Sequence, residues 1–222
     1  MPISTRTYAL VAGVSVAAGL GVMWLAANAP QQTATQSADI FAACRQGVVS
    51  GAGALGGSFE LVSETGATVT DKDVITTPSL LYFGYTYCPD VCPLDSTRNA
   101  EAVYLLDDRG YDVKPVFISV DSKRDTPELL AEFTDLMHPR MIGLSGTEEQ
   151  IKAASKAYRT YFKVQDPDDP YTLIDHSTQT YLVFPEIGFV EFYNRDMTPE
   201  AMADSVACFV DAWKANPPAQ TQ

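Results

Sequence analysis

An uninterrupted apolar run that ends at a pair of cysteines constrains the fold of this chain more than any other feature. The run "SLLYFGYTY" has the length of one β-strand and contains no charged residue, which is typical of a buried strand. Cys88 and Cys92 follow directly, and the segment after Pro93 spaces its apolar and charged residues as a helix does. The sequence therefore predicts a strand, a loop and a helix, with both cysteines at the junction.

The rest of the chain continues this alternation and then changes to a hairpin. "VKPVFISVD" predicts a second buried strand, and helices are predicted to begin at Thr126-Pro127, at the capping box of Thr147 and Gln150, and at the start of "TPEAMADSVACFVDAWKAN". "SFELVSETGATVT" predicts one antiparallel hairpin, and "TQTYLVF" with "FVEFYN" predicts another. This order predicts a thioredoxin-like α/β fold, with a mixed central sheet flanked by helices.

The N-terminal segment has the character of a membrane anchor. Arg6 is its one charged residue before Asp39, and the apolar stretch of roughly twenty residues is long enough to cross a hydrocarbon core of about 30 Å. The "ANA" of residues 27–29 resembles a signal-peptide cleavage site, but the apolar part is longer than is usual for such peptides. We therefore expect a cytoplasmic N-terminus over 1–7 and a transmembrane helix over 8–29.

The charge pattern predicts where the remaining chain lies. Arg6 on the short side of the span predicts an exported domain, on a single-pass protein of a bacterial inner membrane that faces the periplasm. We expect a periplasmic tether over 30–50, the folded domain over 51–216 and a disordered tail over 217–222. The formal net charge of −13 excludes nucleic acid as a partner, because phosphate backbones require clustered basic residues.

The four cysteines of an exported chain can form disulfides. Three pairings are open, and the sequence alone does not choose among them. We expect a structural disulfide between Cys44 and Cys208, which would join the segment before the domain to the last helix. A buried free thiol at Cys208 is the alternative.

Cys88 and Cys92 occupy the position at which α/β sheets place their functional sites, the carboxyl end of a strand before a helix. A helix N-terminus favours thiolates, and a three-residue gap permits a reversible disulfide, a redox pair or two ligands for a soft metal such as Cu(I). A histidine would complete a metal site. His138 follows a helix and is interpreted as a surface or cap residue, whereas His176 precedes a strand in a loop that can reach the cysteines. Such a loop histidine, considered alone, is more often structural.

Four segments in this order resemble the Sco/SenC family: "YFGYTYCPDVCP", "ISVDSKRDTPELL", "GLSGTEEQIKAASKAYRTYF" and "DHSTQTYLV". The resemblance covers roughly residues 56–209. It implies a thioredoxin-like, membrane-anchored protein that binds one copper ion, as Cu(I) or Cu(II), through Cys88, Cys92 and His176. Tyr87 departs from the pattern, since many members have histidine there.

The resemblance also implies a function in the assembly of cytochrome c oxidase. The expected function is a metallochaperone, rather than an enzyme, that delivers copper to the CuA centre of cytochrome c oxidase subunit II. Its expected partners are that subunit, an upstream copper donor chaperone and a thiol reductant. The alternatives are a thiol-disulfide reductase that uses Cys88 and Cys92 to keep the CuA cysteines reduced, and a copper or redox sensor.

Overall fold

The computed structural model describes residues 39–45 and 55–217. The predicted anchor over 8–29 and most of the predicted tether and tail lie outside these residues. Among the described residues, no helix has the length and apolar character needed to cross a bilayer. The strands are β1 (Glu60–Ser63), β2 (Thr68–Thr70), β3 (Ser79–Gly84), β4 (Lys114–Ser119), β5 (Ile142–Ser145), β6 (Phe162–Val164), β7 (Ile174–His176), β8 (Thr180–Phe184) and β9 (Gly188–Tyr193). The helices are α1 (Asp71–Val74), α2 (Val91–Asp108), α3 (Pro127–Met137), α4 (Glu148–Ala157) and α5 (Pro199–Ala215).

Seven of these strands form one mixed sheet in the order β2-β1-β5-β4-β3-β8-β9. The three central strands β5, β4 and β3 are parallel, and the outer pairs are antiparallel. The unit β3-α2-β4 followed by the β8-β9 hairpin and α5 has the thioredoxin-like order, so the predicted α/β class and mixed sheet are confirmed. Strands β6 and β7 form a separate two-stranded sheet that the sequence did not predict.

The predicted helix starts are confirmed at three threonines. The side chains of Thr126, Thr147 and Thr198 each accept a hydrogen bond from the backbone N–H three residues later, at 3.4, 3.2 and 3.3 Å. The side chain of Gln150 also accepts the backbone N–H of Thr147, which completes the predicted capping box. These caps satisfy N–H groups that have no partner within the helix.

The central strands are buried on both faces because apolar layers cover the sheet on each side. All six residues of β3 are buried, as are five of the six in β4. Leu80 joins the layer built with α2 and α5, whereas Leu81 and Phe83 join the opposite layer. An apolar run without alternation is the pattern expected of such a strand.

Residues 40–45, which belong to the predicted periplasmic tether over 30–50, pack on the domain. Phe41 is 4% exposed, and its ring centroid lies 5.5 Å from that of Phe184 and 5.4 Å from that of Phe209. The buried Phe41 ring therefore helps to hold this short segment against the domain.

A disulfide joins the same segment to α5. Cys44 and Cys208 are bonded, with their Cα atoms 5.7 Å apart and a sequence separation of 164. This is the structural pairing expected from the sequence. A cross-link over so long a loop restricts the unfolded chain strongly and contributes about 2–4 kcal/mol in the chain-entropy picture.

Replacing both Cys44 and Cys208 by serine should therefore lower the free energy of unfolding by about 2–4 kcal/mol. The comparison is made in a Cys88→Ser/Cys92→Ser background, so that no other thiol responds to oxidant or reductant. Urea unfolding followed by circular dichroism measures the difference. As a control, reductant should destabilise the background protein equally and leave the fourfold serine variant unchanged. A loss below about 0.5 kcal/mol would contradict this assignment of stability.

Candidate metal centre

The structure brings together the three residues that the sequence singled out as ligands. Cys88 lies in the loop between β3 and α2, Cys92 lies in the first turn of α2, and His176 is the last residue of β7. Their ligand atoms all lie within 4.8 Å of one another. Cys92 is fully buried, Cys88 is 8% exposed and His176 is half-buried. The site therefore opens on the side of the histidine.

A glycine at the end of β3 allows the first turn of α2 to approach the strand. A Cβ atom at Gly84 would lie 3.0 Å from Cys92 Sγ and 2.8 Å from Cε1 of Tyr82, which is too close for either neighbour to keep its place. The backbone N–H of Cys92 donates to Cys88 Sγ at 3.4 Å. This contact sets the two sulfur atoms side by side, although only Cys92 belongs to the helix.

His176 reaches the cysteines on a strand, not from a loop as the sequence predicted. Strand β7 pairs antiparallel with β6, and His176 stands opposite Phe162. The Nδ1 atom lies 2.8 Å from the carbonyl oxygen of Ser177. Because a carbonyl oxygen only accepts, Nδ1 carries the proton, and Nε2 presents its lone pair to Cys92 Sγ at 3.1 Å. This tautomer is the one that a metal ligand needs.

Burial keeps the Cys92 thiol protonated in the absence of metal. Desolvation raises the pKa of Cys92 far above its ordinary value, and the neighbouring Cys88 adds to the effect. The neutral S–H then donates to Nε2 of His176. A metal ion that binds here displaces this proton, because the thiolate is the ligand form.

The other histidine lies outside the site. His138 is the C-cap of α3, and it is fully buried, whereas the sequence left a surface position open. Its Nδ1 accepts the backbone N–H of Arg140 at 3.1 Å, and its Nε2 lies 3.3 Å from a carboxylate oxygen of Asp107. Burial lowers the pKa of His138. The residue has a structural function.

Two tyrosines, which the sequence prediction missed, flank the imidazole of His176. The ring centroids of Tyr82 and Tyr85 lie 6.2 and 5.8 Å from that of His176, and both contacts are edge-on. The Tyr82 hydroxyl donates to Asp95 at 2.9 Å, and the Tyr85 hydroxyl accepts the backbone N–H of Ile174 at 3.3 Å. Burial raises the pKa of both phenols, so they stay neutral. Their position near the end of a predicted buried strand, close to Cys88, could have indicated that these tyrosines contact the site.

A buried carboxylate fixes the loop that leads to Cys88. Asp125 accepts hydrogen bonds from Thr86 N at 3.0 Å, Thr86 Oγ1 at 2.6 Å and Ser119 Oγ at 2.5 Å. Burial raises the pKa of Asp125, while these donors counteract the rise. The sequence did not predict a function for Asp125, although this acidic residue lies in the loop that follows a buried strand.

The donor set determines which metals suit the site. Two sulfurs and one imidazole nitrogen, without a carboxylate in the group, suit a soft metal ion. Hard cations such as Mg²⁺ and Ca²⁺ prefer oxygen ligands. Fold and site together define a thioredoxin-like protein with a thiolate and imidazole metal centre.

Comparison with known proteins identifies the family. The model of the SCO1/SenC family matches residues 48–211, and the chain belongs to this family. Protein SenC of Rhodobacter capsulatus is 61% identical over 212 residues, which cover 96% of this chain and 94% of that protein. The resemblance drawn from the sequence motifs is confirmed.

Two solved structures are similar to this chain over most of its described length. Arabidopsis thaliana ScoI with copper bound is 39% identical, with a TM-score of 0.67 over 73% of this chain and 99% of the other. Bradyrhizobium japonicum ScoI with copper bound is 36% identical, with a TM-score of 0.63 over 69% of this chain and 98% of the other. Both relatives therefore share the fold described above and hold copper.

The unequal surroundings of the two thiols predict unequal reactivity. In reduced, metal-free protein at neutral pH, iodoacetamide should modify Cys88 at least about tenfold faster than Cys92, because Cys92 is fully buried and its raised pKa leaves little thiolate. Peptide mass spectrometry of a time course measures both rates. In urea the two rates should converge. Equal rates in the folded protein would contradict this description of the site.

Proposed function

We propose that this protein is a membrane-anchored copper metallochaperone that delivers copper to the CuA centre of cytochrome c oxidase subunit II during oxidase assembly. The observation that carries the proposal is the grouping of Cys88, Cys92 and His176 within 4.8 Å. Membership of the SCO1/SenC family and the copper bound by two ScoI relatives support copper as the metal. The same family membership supports oxidase assembly as the process.

The ligand chemistry fits a metal that is cargo. Cu(I) with two thiolates and a neutral imidazole carries a net charge of about −1, and Cu(I) accepts two or three ligands. An incoming cysteine of the acceptor can therefore replace one ligand at a time. His176 is half-buried, whereas Cys92, whose sulfur lies 3.1 Å from its Nε2, is fully buried. We infer that exchange begins on its side.

The redox state of the cysteines controls loading. A disulfide between Cys88 and Cys92 has no thiolate to offer, so a thiol reductant must act before an upstream donor supplies copper. One copper per chain is proposed because residues 39–45 and 55–217 contain a single three-residue ligand group. Cu(II) gains more from the imidazole than Cu(I) does, because imidazole suits Cu(II) whereas thiolates satisfy Cu(I).

A thiol-disulfide reductase is the second candidate, and one observation favours it. Cys88 and Cys92 are free thiols, and Cys92 stands 3.1 Å from an imidazole nitrogen that can take its proton. In that function the two thiols reduce a disulfide between the CuA cysteines of subunit II and close into a disulfide themselves. Two electrons and two protons pass to the target.

Substitution of His176 separates the two functions. In the full-length protein, His176→Ala should weaken Cu(II) binding at least about tenfold, because one of three ligands is lost. Titration followed by thiolate-to-copper absorption measures the affinity. His138→Asn is the matched control, since His138 is the chain's other histidine and lies outside the site, and it should bind Cu(II) like the parent.

Transfer completes this test. The copper-loaded parent, mixed with copper-free subunit II, should produce the absorption of the dinuclear CuA centre, whereas Cys88→Ser should not. Under the reductase function, His176→Ala still reduces the subunit II disulfide, and no copper moves. That result would overturn the metallochaperone proposal, as would copper binding by Cys88→Ser equal to the parent's.

We also propose that residues 8–29 anchor the protein in a bacterial inner membrane and that the folded domain faces the periplasm. The apolar stretch of roughly twenty residues and Arg6 before it support this arrangement. A periplasmic site also suits a protein with a structural disulfide, because exported proteins keep such bonds.

A reporter fusion tests the anchor. Alkaline phosphatase, which is active only outside the cytoplasm, is fused after Gln222 and expressed in a Gram-negative bacterium. The fusion should be active and should resist extraction from membranes by alkaline carbonate, whereas deletion of residues 8–29 should abolish activity. A soluble, active fusion shortened at residues 27–29 would show a cleaved signal peptide instead.

A further inference from the structure

We propose that Arg124, at the end of the β4-α3 loop, is a positioning residue of the copper site. Its guanidinium joins the segment that precedes Cys88 to the hairpin that carries His176. The inference rests on the proposed copper-binding function and deepens it. Arg124 touches none of the three ligands, so its effect on copper must pass through other side chains.

The first contacts of Arg124 are with two aromatic rings just before Cys88. The guanidinium carbon lies 5.7 Å from the ring centroid of Tyr85 and 5.1 Å from that of Tyr87. Both distances are within cation–π range. Tyr87 is 52% exposed, and the contact with Arg124 gives this family-atypical residue a function. One cation thus holds two residues of the loop.

The second contact of Arg124 is with the loop between β6 and β7. Its Nη1 donates to the carbonyl oxygen of Pro170 at 3.3 Å. The adjacent Lys123 donates from Nζ to the carbonyl oxygen of Pro167 at 3.1 Å. The β4-α3 loop therefore binds the β6-β7 loop at two backbone carbonyls, and Arg124 alone of the two cations also contacts the tyrosines.

A buried carboxylate fixes the direction of the guanidinium. Asp121 accepts hydrogen bonds from the backbone N–H groups of Lys123 at 3.2 Å and Arg124 at 3.1 Å, and from Nε of Arg124. Because Asp121 holds Nε, the planar guanidinium of Arg124 can direct its remaining N–H groups only in fixed directions. A lysine keeps the charge but has no such fork, so it cannot make the same set of contacts.

Tyr85 connects Arg124 to both ligand-bearing segments. The Cys88 backbone N–H donates to the Tyr85 carbonyl oxygen at 3.3 Å. On the other side, the Tyr85 hydroxyl accepts the N–H of Ile174, and its ring meets the edge of His176 at 5.8 Å. Displacement of Tyr85 would therefore change the distance between His176 and the cysteines. Arg124 opposes that displacement.

The two copper oxidation states should respond differently when Arg124 is changed. Cu(I) remains bound by the two thiolates if the imidazole shifts, since it accepts two ligands. Cu(II) loses a ligand that it requires. A positioning residue for His176 therefore affects Cu(II) affinity more than Cu(I) affinity, whereas a residue that only stabilises the fold affects both equally.

The test is anaerobic titration of the full-length Arg124→Lys protein with Cu(II) and, separately, with Cu(I). Cu(II) affinity should fall roughly tenfold, as is usual when an outer partner of a metal ligand is removed. Cu(I) affinity should fall less than about threefold, and the thiolate-to-copper absorption of the Cu(II) form should shift. Arg109→Lys is the matched control, because Arg109 forms an exposed ion pair with Asp204 and should leave both affinities unchanged.

A second variant keeps the test independent of folding. Tyr87→Leu removes an exposed ring, so the domain stays folded. Like Arg124→Lys, this variant should bind Cu(II) more weakly than the parent. Tyr87→Phe keeps the ring and should bind Cu(II) as tightly as the parent. If the parent binds copper, either of two results overturns the inference. The first is an unchanged Cu(II) affinity in both Arg124→Lys and Tyr87→Leu. The second is an equal loss of affinity for Cu(I) and Cu(II). A parent that binds no copper overturns the proposed function as well.

Discussion

The parallel pairing of β3 with β4 is the constraint on which the metal centre depends. The strands run in register from Ser79 opposite Lys114 to Gly84 opposite Ser119, so their carboxyl ends stop at the same edge of the sheet. The loops that follow are thereby placed side by side, and Asp125 from one loop accepts hydrogen bonds from Thr86 in the other. An acceptor this deeply buried would be costly without donors, and the pairing supplies three of them. The sheet thus determines where Cys88 can lie before any metal is considered.

Local signals predicted the parts of this fold that are long or capped. The apolar run of β3 can be recognised within a few residues of sequence, because a strand that is buried on both faces needs apolar residues throughout. The caps at Thr126 and Thr147 can be recognised equally locally, because the first N–H groups of a helix need a side-chain acceptor. Strand β5, with four residues and a glycine, was missed, as were the three-residue strands β6 and β7. Elements so short have too few residues to show a period, and their pairing is decided by partners distant in sequence.

The candidate site likewise has a part that local sequence predicts and a part that it does not. The position of the cysteine pair was predictable from one segment, because the end of the strand and the start of the helix lie in consecutive residues. His176 was not, because 84 residues separate it from Cys92 and the strand that carries it belongs to a separate sheet. Resemblance to a family connected His176 with the cysteines. The hydrogen bond from His176 Nδ1 to the Ser177 carbonyl, which selects the tautomer, is visible only in the structure. The packing of Phe41 was not predicted for a related reason, since its aromatic partners lie more than a hundred residues away.

In the proposed function the metal is cargo, so the site must be rigid and yet open to ligand exchange, and the arrangement of the ligands meets both requirements. Cys92 is buried against the sheet beneath the Gly84 backbone, and its neutral thiol is hydrogen-bonded to an imidazole, so it places no unpaired charge in the interior. His176 belongs to a hairpin outside the main sheet, and its position depends on side-chain contacts that cost less to disturb than a strand of the main sheet. The two thiols are therefore fixed by the core, while the imidazole is held by Tyr85 and, through it, by Arg124. A partner that engages this rim can loosen the histidine without unfolding the domain, and copper would then remain on two sulfurs, one of which an incoming thiolate can replace.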